Sequence, residues 1–117
     1  MGIQEIKGED YSVQYDPDSV IFHFIGELSL GGSADYAPIA KLLEDVAIQA
    51  PSTITLNLKK LEFLNSSGIS MLSKFAISVR KKKTIQVLVL GSNDISWQEK
   101  SLKNLEKLLP SLKLKLE

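Results

Sequence analysis

Apolar positions recur along the chain with two periods, and the switches between them divide it into elements. Residues 11–15 alternate Tyr11, Val13 and Tyr15 with Ser12 and Gln14, the period of a strand with one solvated face. Asp16-Pro17-Asp18-Ser19 carries turn chemistry, and residues 20–28 are rich in β-branched and aromatic side chains, so a hairpin is expected. After Gly31-Gly32-Ser33 the period becomes helical, with Tyr36, Ile39, Leu43, Val46 and Ala47 on one face. Ser33 or Asp35 is the expected cap, and a start at Asp35 keeps Pro38 in the first turn, where proline is tolerated.

Residues 53–58 alternate again, Ile54, Leu56 and Leu58 against Thr53, Thr55 and Asn57. A second helical stripe follows through Ile69, Leu72, Phe75, Ala76 and Val79. Residues 84–90 are apolar on both faces apart from Gln86, as expected of an interior strand. Ser96-Trp97-Gln98-Glu99 reads as a capping box for a third helix carrying Leu102, Leu105 and Leu109. Pro110 stops that helix, and Leu112 to Leu116 alternate with lysines that suit an edge strand.

The predicted order is β-β-α-β-α-β-α-β, a single α/β domain of mixed sheet with central parallel strands. Residues 1–9 are expected to be a loosely ordered N-terminal segment. Short connections and right-handed crossovers make the second, third and fourth strands parallel neighbours, with the helices mainly on one face. The row Ser12, Gln14, Thr53, Thr55, Asn57, together with His23, then lines the less covered face. Ligands of parallel sheets meet the carboxyl ends of the strands. Here those ends are residues 27–32, 59–67 and 91–94, so three Gly/Ser/Asn-rich loops are expected to converge on one rim.

Composition narrows the function classes. At 117 residues the chain can bury a core without staples, and it has no cysteine for disulfides, thiolate metal sites or nucleophilic chemistry. Fourteen basic residues balance fourteen acidic ones, so no net field favours nucleic acid or an anionic membrane. The first ten residues lack the blocks of a signal peptide, and no apolar run approaches the roughly 20 residues of a membrane span. A soluble cytoplasmic domain is expected, with no nucleic-acid or membrane partner.

The candidate chemistry centres on Asn65-Ser66-Ser67-Gly68, between the strand of residues 53–58 and the second helix. Two hydroxyls stand where backbone N–H groups lack intrahelical acceptors, a place for a cap and equally for a phosphate. Asn65 reads as a turn or cap residue, and Gly68 as a point of close backbone approach. His23 is the only histidine and has no cysteine or second histidine to complete a metal site. Its mid-strand position also argues against a Ser-His-Asp arrangement, while Glu27 and Asp94 are simply acidic loop residues. Gly31-Gly32 and Gly91-Ser92 lack the motifs of nucleotide-binding loops. No cofactor and no catalytic residue is expected. Arg80-Lys81-Lys82-Lys83 reads as a solvated helix C-terminus, roughly 20 Å from Ser66 by helix rise, and Trp97 as a packed aromatic.

These residues resemble the STAS domain, the family of anti-sigma-factor antagonists, over residues 11–117. The likeness is carried by Gly26-Glu27-Leu28, Leu56-Asn57-Leu58 and above all Phe63-Leu64-Asn65-Ser66-Ser67-Gly68-Ile69. It implies a non-catalytic regulatory module whose rim, Ser29, Leu30, Gly31, Gly32, Asn65, Ser66, Ser67 and Gly68, binds an anti-sigma-type serine kinase. It also implies phosphorylation of Ser66, with Ser67 the second choice, reversed by a phosphatase. Asn65 stands where aspartate is commoner in the family, and Ser29 where many members are acidic. Two further readings therefore stay open: an unphosphorylated scaffold subunit of a signalling complex, and a small-ligand sensor using the same rim.

Overall fold

The computed structural model describes residues 2–117. Six strands form one sheet in chain order: β1 (Gln4–Lys7), β2 (Tyr11–Asp16), β3 (Ile21–Leu28), β4 (Thr53–Leu64), β5 (Gln86–Gly91) and β6 (Lys113–Leu116). β1, β2 and β3 pair antiparallel, and β3 through β6 pair parallel. The parallel strands are joined by α1 (Ser33–Ile48), α2 (Ser66–Lys82) and α3 (Gln98–Leu108). α1 packs against α2 and α2 against α3, so the helices lie side by side over one face of the sheet. The expected mixed sheet with parallel central strands and helices on one face is what the chain forms.

The predicted turn is an Asx turn, in which Asp16 Oδ1 accepts from the Asp18 N–H at 3.0 Å. Phe22, Phe24, Ile54, Leu56 and Val89 from the strands meet Leu43 and Val79 from the helices in the core. On the uncovered face Ser12, Gln14, His23 and Asn57 are half-buried, as expected, while Thr55 is closed off among its neighbours at 8% exposure.

β4 is twice as long as its alternation predicts. Its core-facing residues are Ile54, Leu56, Leu58, Leu61 and Leu64, so the spacing changes from two to three after Leu58. The pairing with β3 slips between His23 and Ile25, and again between Gly26 and Glu27, each time by one extra residue in β4. Two bulges thus return leucines to the core where strict alternation would turn them out. A period-two reading ends the strand at Leu58 because the signal ends there. β5 pairs only with Thr53 through Asn57, so β4 overhangs it by a distance on the order of 20 Å.

Three other boundaries differ from expectation. The segment 1–9 is not loose throughout, because Gln4–Lys7 forms β1 against β2; Met1 lies outside the described residues. Only Ile6 of β1 is half-buried, which leaves too little apolar alternation to announce a strand. α1 starts at Ser33 with Gly32 as its N-cap residue and no side-chain cap, so Pro38 lies beyond the first turn. The early start brings Tyr36 back over the end of β3. α3 starts at Gln98, and Ser96 does not cap it.

Candidate functional site

The site begins where β3 and β4 end together, Leu28 opposite Leu64. Asn65 leaves β4 in an extended conformation, and its N–H donates to Leu28 O at 3.1 Å. Its side-chain Oδ1 accepts from the Gly68 N–H at 3.0 Å, the bond of a helix cap. Its Nδ2 donates to Leu30 O at 2.8 Å, which ties the loop before α1 to the start of α2. The Tyr36 hydroxyl completes the knot from α1. It lies 2.5 Å from Asn65 Oδ1 and 3.1 Å from Leu28 O, sharing one proton between two acceptors, and it accepts from the Leu30 N–H at 3.4 Å. Burial raises the Tyr36 pKa above the usual phenol value, with the Leu30 N–H opposing.

This geometry separates the two jobs that the serines could have done. Asn65 is the cap, as its sequence context indicated, and neither Ser66 nor Ser67 makes a capping bond. Ser66, the first helical residue, is exposed, whereas Ser67 is half-buried and turned towards α1. The first turn of α2 contains no acidic residue, and the basic residues Arg80, Lys81 and Lys82 sit in its last turn. The Ser66 hydroxyl therefore stands at the positive end of an α-helix with no competing carboxylate in that turn. Gly68 is buried, and a Cβ there would stand 2.7 Å from Tyr36 Oη, so glycine permits the close approach that Tyr36 requires.

The predicted rim is assembled in part. Leu30 is tied to Asn65 directly and through Tyr36, and Asn65 to Gly68, so the loop of Ser29, Leu30, Gly31 and Gly32 is anchored to the start of α2 at Leu30 alone. Gly31 N–H donates to the Asp35 carboxylate at 3.1 Å, which occupies that acid at the start of α1. The third loop does not converge with them. It leaves β5 at Gly91, next to the middle of β4, so Ser92 and Asp94 are set back by the length of the β4 overhang.

What that third loop does instead had no readable signal in the chain. The overhang of β4 leaves carbonyls without a β5 partner, and Gln98 supplies one. Gln98 is fully buried, its Nε2 donates to Leu58 O at 2.6 Å and Leu61 O at 3.0 Å, and its Oε1 accepts from the Ser92 N–H at 2.7 Å. Trp97 Nε1 adds a 3.2 Å bond to Leu61 O, so this aromatic is packed and hydrogen-bonded. Of the residues that read as a capping box, Trp97 and Gln98 serve the strand, while Glu99 pairs with Lys103 within the helix.

A groove of 620 Å³ opens beside the rim between α1 and α2. Ala37 and Ala40 keep its α1 wall low, Met71 and Phe75 form apolar lining, and Ser67 and Lys74 edge it. Ser78 Oγ donates to Glu44 at 3.2 Å across the two helices further along. On the opposite face of the sheet Asn57 Nδ2 lies 3.2 Å from His23 Nδ1. Asn57 Oδ1 accepts from the Lys59 N–H at 3.1 Å, which orients Nδ2 as the donor and makes His23 Nδ1 the acceptor. Among the described residues no three His, Cys, Asp or Glu side chains gather into a metal-binding group. Nor is any helix among the described residues long and apolar enough to cross a membrane.

A single mixed sheet with helices on one face, and a serine pair opening the helix after its longest strand, define a two-layer α/β class of domain. The chain belongs to the STAS-domain family, whose model matches residues 10–106. Its fold is similar to that of SiaC of Pseudomonas aeruginosa, with a TM-score of 0.74 at 11% identity over 100% of both chains. It is also similar to a chain in the crystal structure of the diguanylate cyclase SiaD in complex with its activator SiaC from the same organism. There the TM-score is 0.76 at 11% identity, over 97% of this chain and 99% of that one. An anti-sigma factor antagonist from Mycobacterium paratuberculosis matches with a TM-score of 0.58 at 18% identity, over 96% of this chain and 84% of that one. A search of curated proteins finds no match in sequence.

Proposed function

We propose that this protein is a non-catalytic, cytoplasmic interaction module that docks a signalling partner on the rim of residues 29–32 and 65–68, with docking switched by phosphorylation of Ser66. One observation carries the reading: Ser66 is exposed at the start of α2 while Asn65 does the capping. A serine relieved of structural duty at that position can be modified without loss of the fold. A phosphate there adds about −1.5 to −2 charges at pH 7 and lies against first-turn N–H groups and the positive helix end. The rim then carries a charge it lacked, and a docked partner is lost through local repulsion and desolvation. Ser67 is the second choice, because a phosphate on its half-buried hydroxyl would press on the groove beside α1.

The partner of this reading is an anti-sigma-type serine kinase, opposed by a phosphatase. Intact-mass measurement after incubation with the cognate kinase tests it. One added phosphate is expected on the wild type and none on Ser66→Ala; equal phosphorylation of both proteins would refute the assignment of Ser66.

A second reading is favoured by Asn65. Its Nδ2 donates to Leu30 O, a bond that an aspartate in its place could not make. A kinase that reads a carboxylate at this position meets an amide tied into the rim. The module then serves as an unphosphorylated activating or scaffolding subunit of a signalling enzyme, as the activator SiaC stands to the diguanylate cyclase SiaD. In that case complex formation with the enzyme, followed by size-exclusion chromatography, is indifferent to Ser66→Asp. Under the first reading the same substitution disrupts the complex.

A further inference from the structure

The two edges of the sheet are built differently. β6 presents Lys113 and Lys115, both exposed and of one sign, so a second β6 laid against it would oppose lysine to lysine. β1 presents Glu5 and Lys7, opposite in sign and two residues apart. The Gly8 N–H donates to Tyr11 O at 3.0 Å, which sets the phase of the β1–β2 ladder. Hydrogen-bonded pairs alternate in an antiparallel ladder, so Gly8, Ile6 and Gln4 turn their backbone groups to β2. The N–H and C=O groups of Glu5 and Lys7 therefore point to the free edge.

We infer that this edge docks a second copy of the chain, through antiparallel pairing of β1 with β1 about a two-fold axis at Ile6. That register sets Glu5 of each copy opposite Lys7 of the other, twice over. The residues brought opposite are those whose backbone groups are free, so each pair can exchange both of its hydrogen bonds. Ile6 meets its own counterpart between them, at the closer spacing of a non-hydrogen-bonded pair. Moving the axis by one residue in either direction, a register shift of two, opposes Glu5 to Glu5 or Lys7 to Lys7 and is disfavoured. Glu5 Oε2 is held towards β2 by Ser12 Oγ at 2.7 Å and Gln14 Nε2 at 3.1 Å, which leaves Oε1 as the acceptor for Lys7 of the second copy. Those bonds also lower its pKa and keep it ionised. The axis runs perpendicular to the sheet, so the helices of both copies stay on one side and both rims remain open.

Sedimentation velocity on the full chain at low salt tests the inference. The dimer fraction of the wild type should rise with protein concentration between about 10 µM and about 1 mM. Lys7→Glu replaces both cross-copy attractions by repulsions and should weaken association about tenfold. Glu5→Lys alone should do the same, and the double exchange Glu5→Lys/Lys7→Glu should recover most of the wild-type association. A wild type that stays monomeric at about 1 mM overturns the inference. So does a dimer indifferent to Lys7→Glu, or one not rescued by the double exchange.

Discussion

The N-termini of α2 and α3 follow neighbouring parallel strands, and both carry serines that read as caps, yet they are put to opposite uses. At α2 an amide side chain, Asn65, turns inward to cap the helix and hold the loop before α1, and the adjacent serine is left outside. At α3 an amide side chain, Gln98, is spent on the carbonyls of β4 and the Ser92 N–H, and nothing caps the helix. The first end displays a hydroxyl, and the second seals a strand. Their difference follows from the length of β4. β3 ends level with it, so α2 starts at an open rim, whereas β5 stops far short, so α3 must cover what is left unpaired.

The sealing end should be the more costly to disturb. Gln98→Leu leaves the buried Leu58 O and the half-buried Ser92 N–H without their partner, while Leu61 O keeps Trp97. The expected loss is about 3 kcal/mol, a fall in Tm on the order of 10 °C by circular dichroism. A loss below about 1 kcal/mol would mean that water reaches those groups and that the seal is not structural.

At the displaying end Asn65→Ala removes the cap, the bond to Leu30 O and one acceptor of Tyr36, for about 2 kcal/mol. Asn65→Asp keeps the acceptor for Gly68 and loses the donor to Leu30, so about 1 kcal/mol is expected. Hydrogen exchange at the Gly68 amide separates the two: protection should survive in Asn65→Asp and fall in Asn65→Ala. If both variants exchange alike, Asn65 is not the cap and the contrast between the two ends collapses.

The contrast also shows what the chain discloses and what it hides. Helix faces, the hairpin turn and the parallel order are periodic or local signals, and Asn65-Ser66-Ser67-Gly68 marks its own place. The division of labour inside that motif is not local, because it depends on Tyr36 and Leu30 reaching Asn65 from 29 and 35 residues away. The end of β4 is illegible for another reason: two bulges replace the strand period by a spacing of three, which matches the i, i+3 spacing of a helix rather than a strand. Gln98 reads as part of a capping box for the same cause, since the carbonyls it serves are unpaired only because β4 overhangs β5.

Tyr36 gives the displaying end a dependence on pH. Its folded-state pKa is raised by burial, so the phenol stays protonated while the unfolded chain begins to ionise near pH 10. Stability from this residue is complete below that pH and is lost as pH rises through the folded value. Tyr15 is raised for the same leading reason and adds a background of the same sign. The urea midpoint should therefore fall between about pH 8 and about pH 11, and fall less in Tyr36→Phe. An equal fall in both proteins would remove Tyr36 from the account.

The smallest effect is the most telling for function. Ser66 is exposed and caps nothing, so Ser66→Ala should change stability by no more than about 0.5 kcal/mol. Ser66→Asp should be neutral or stabilising by about 0.3 to 1 kcal/mol, because a carboxylate lies well against a helix N-terminus. Denaturant midpoints of the three proteins decide this without any partner. A large loss in Ser66→Ala would return the hydroxyl to a structural role and leave α2 as closed as α3. Near-identical stabilities would instead confine any later defect of these variants in partner binding to the surface, where a change of charge at the rim acts without a change of fold.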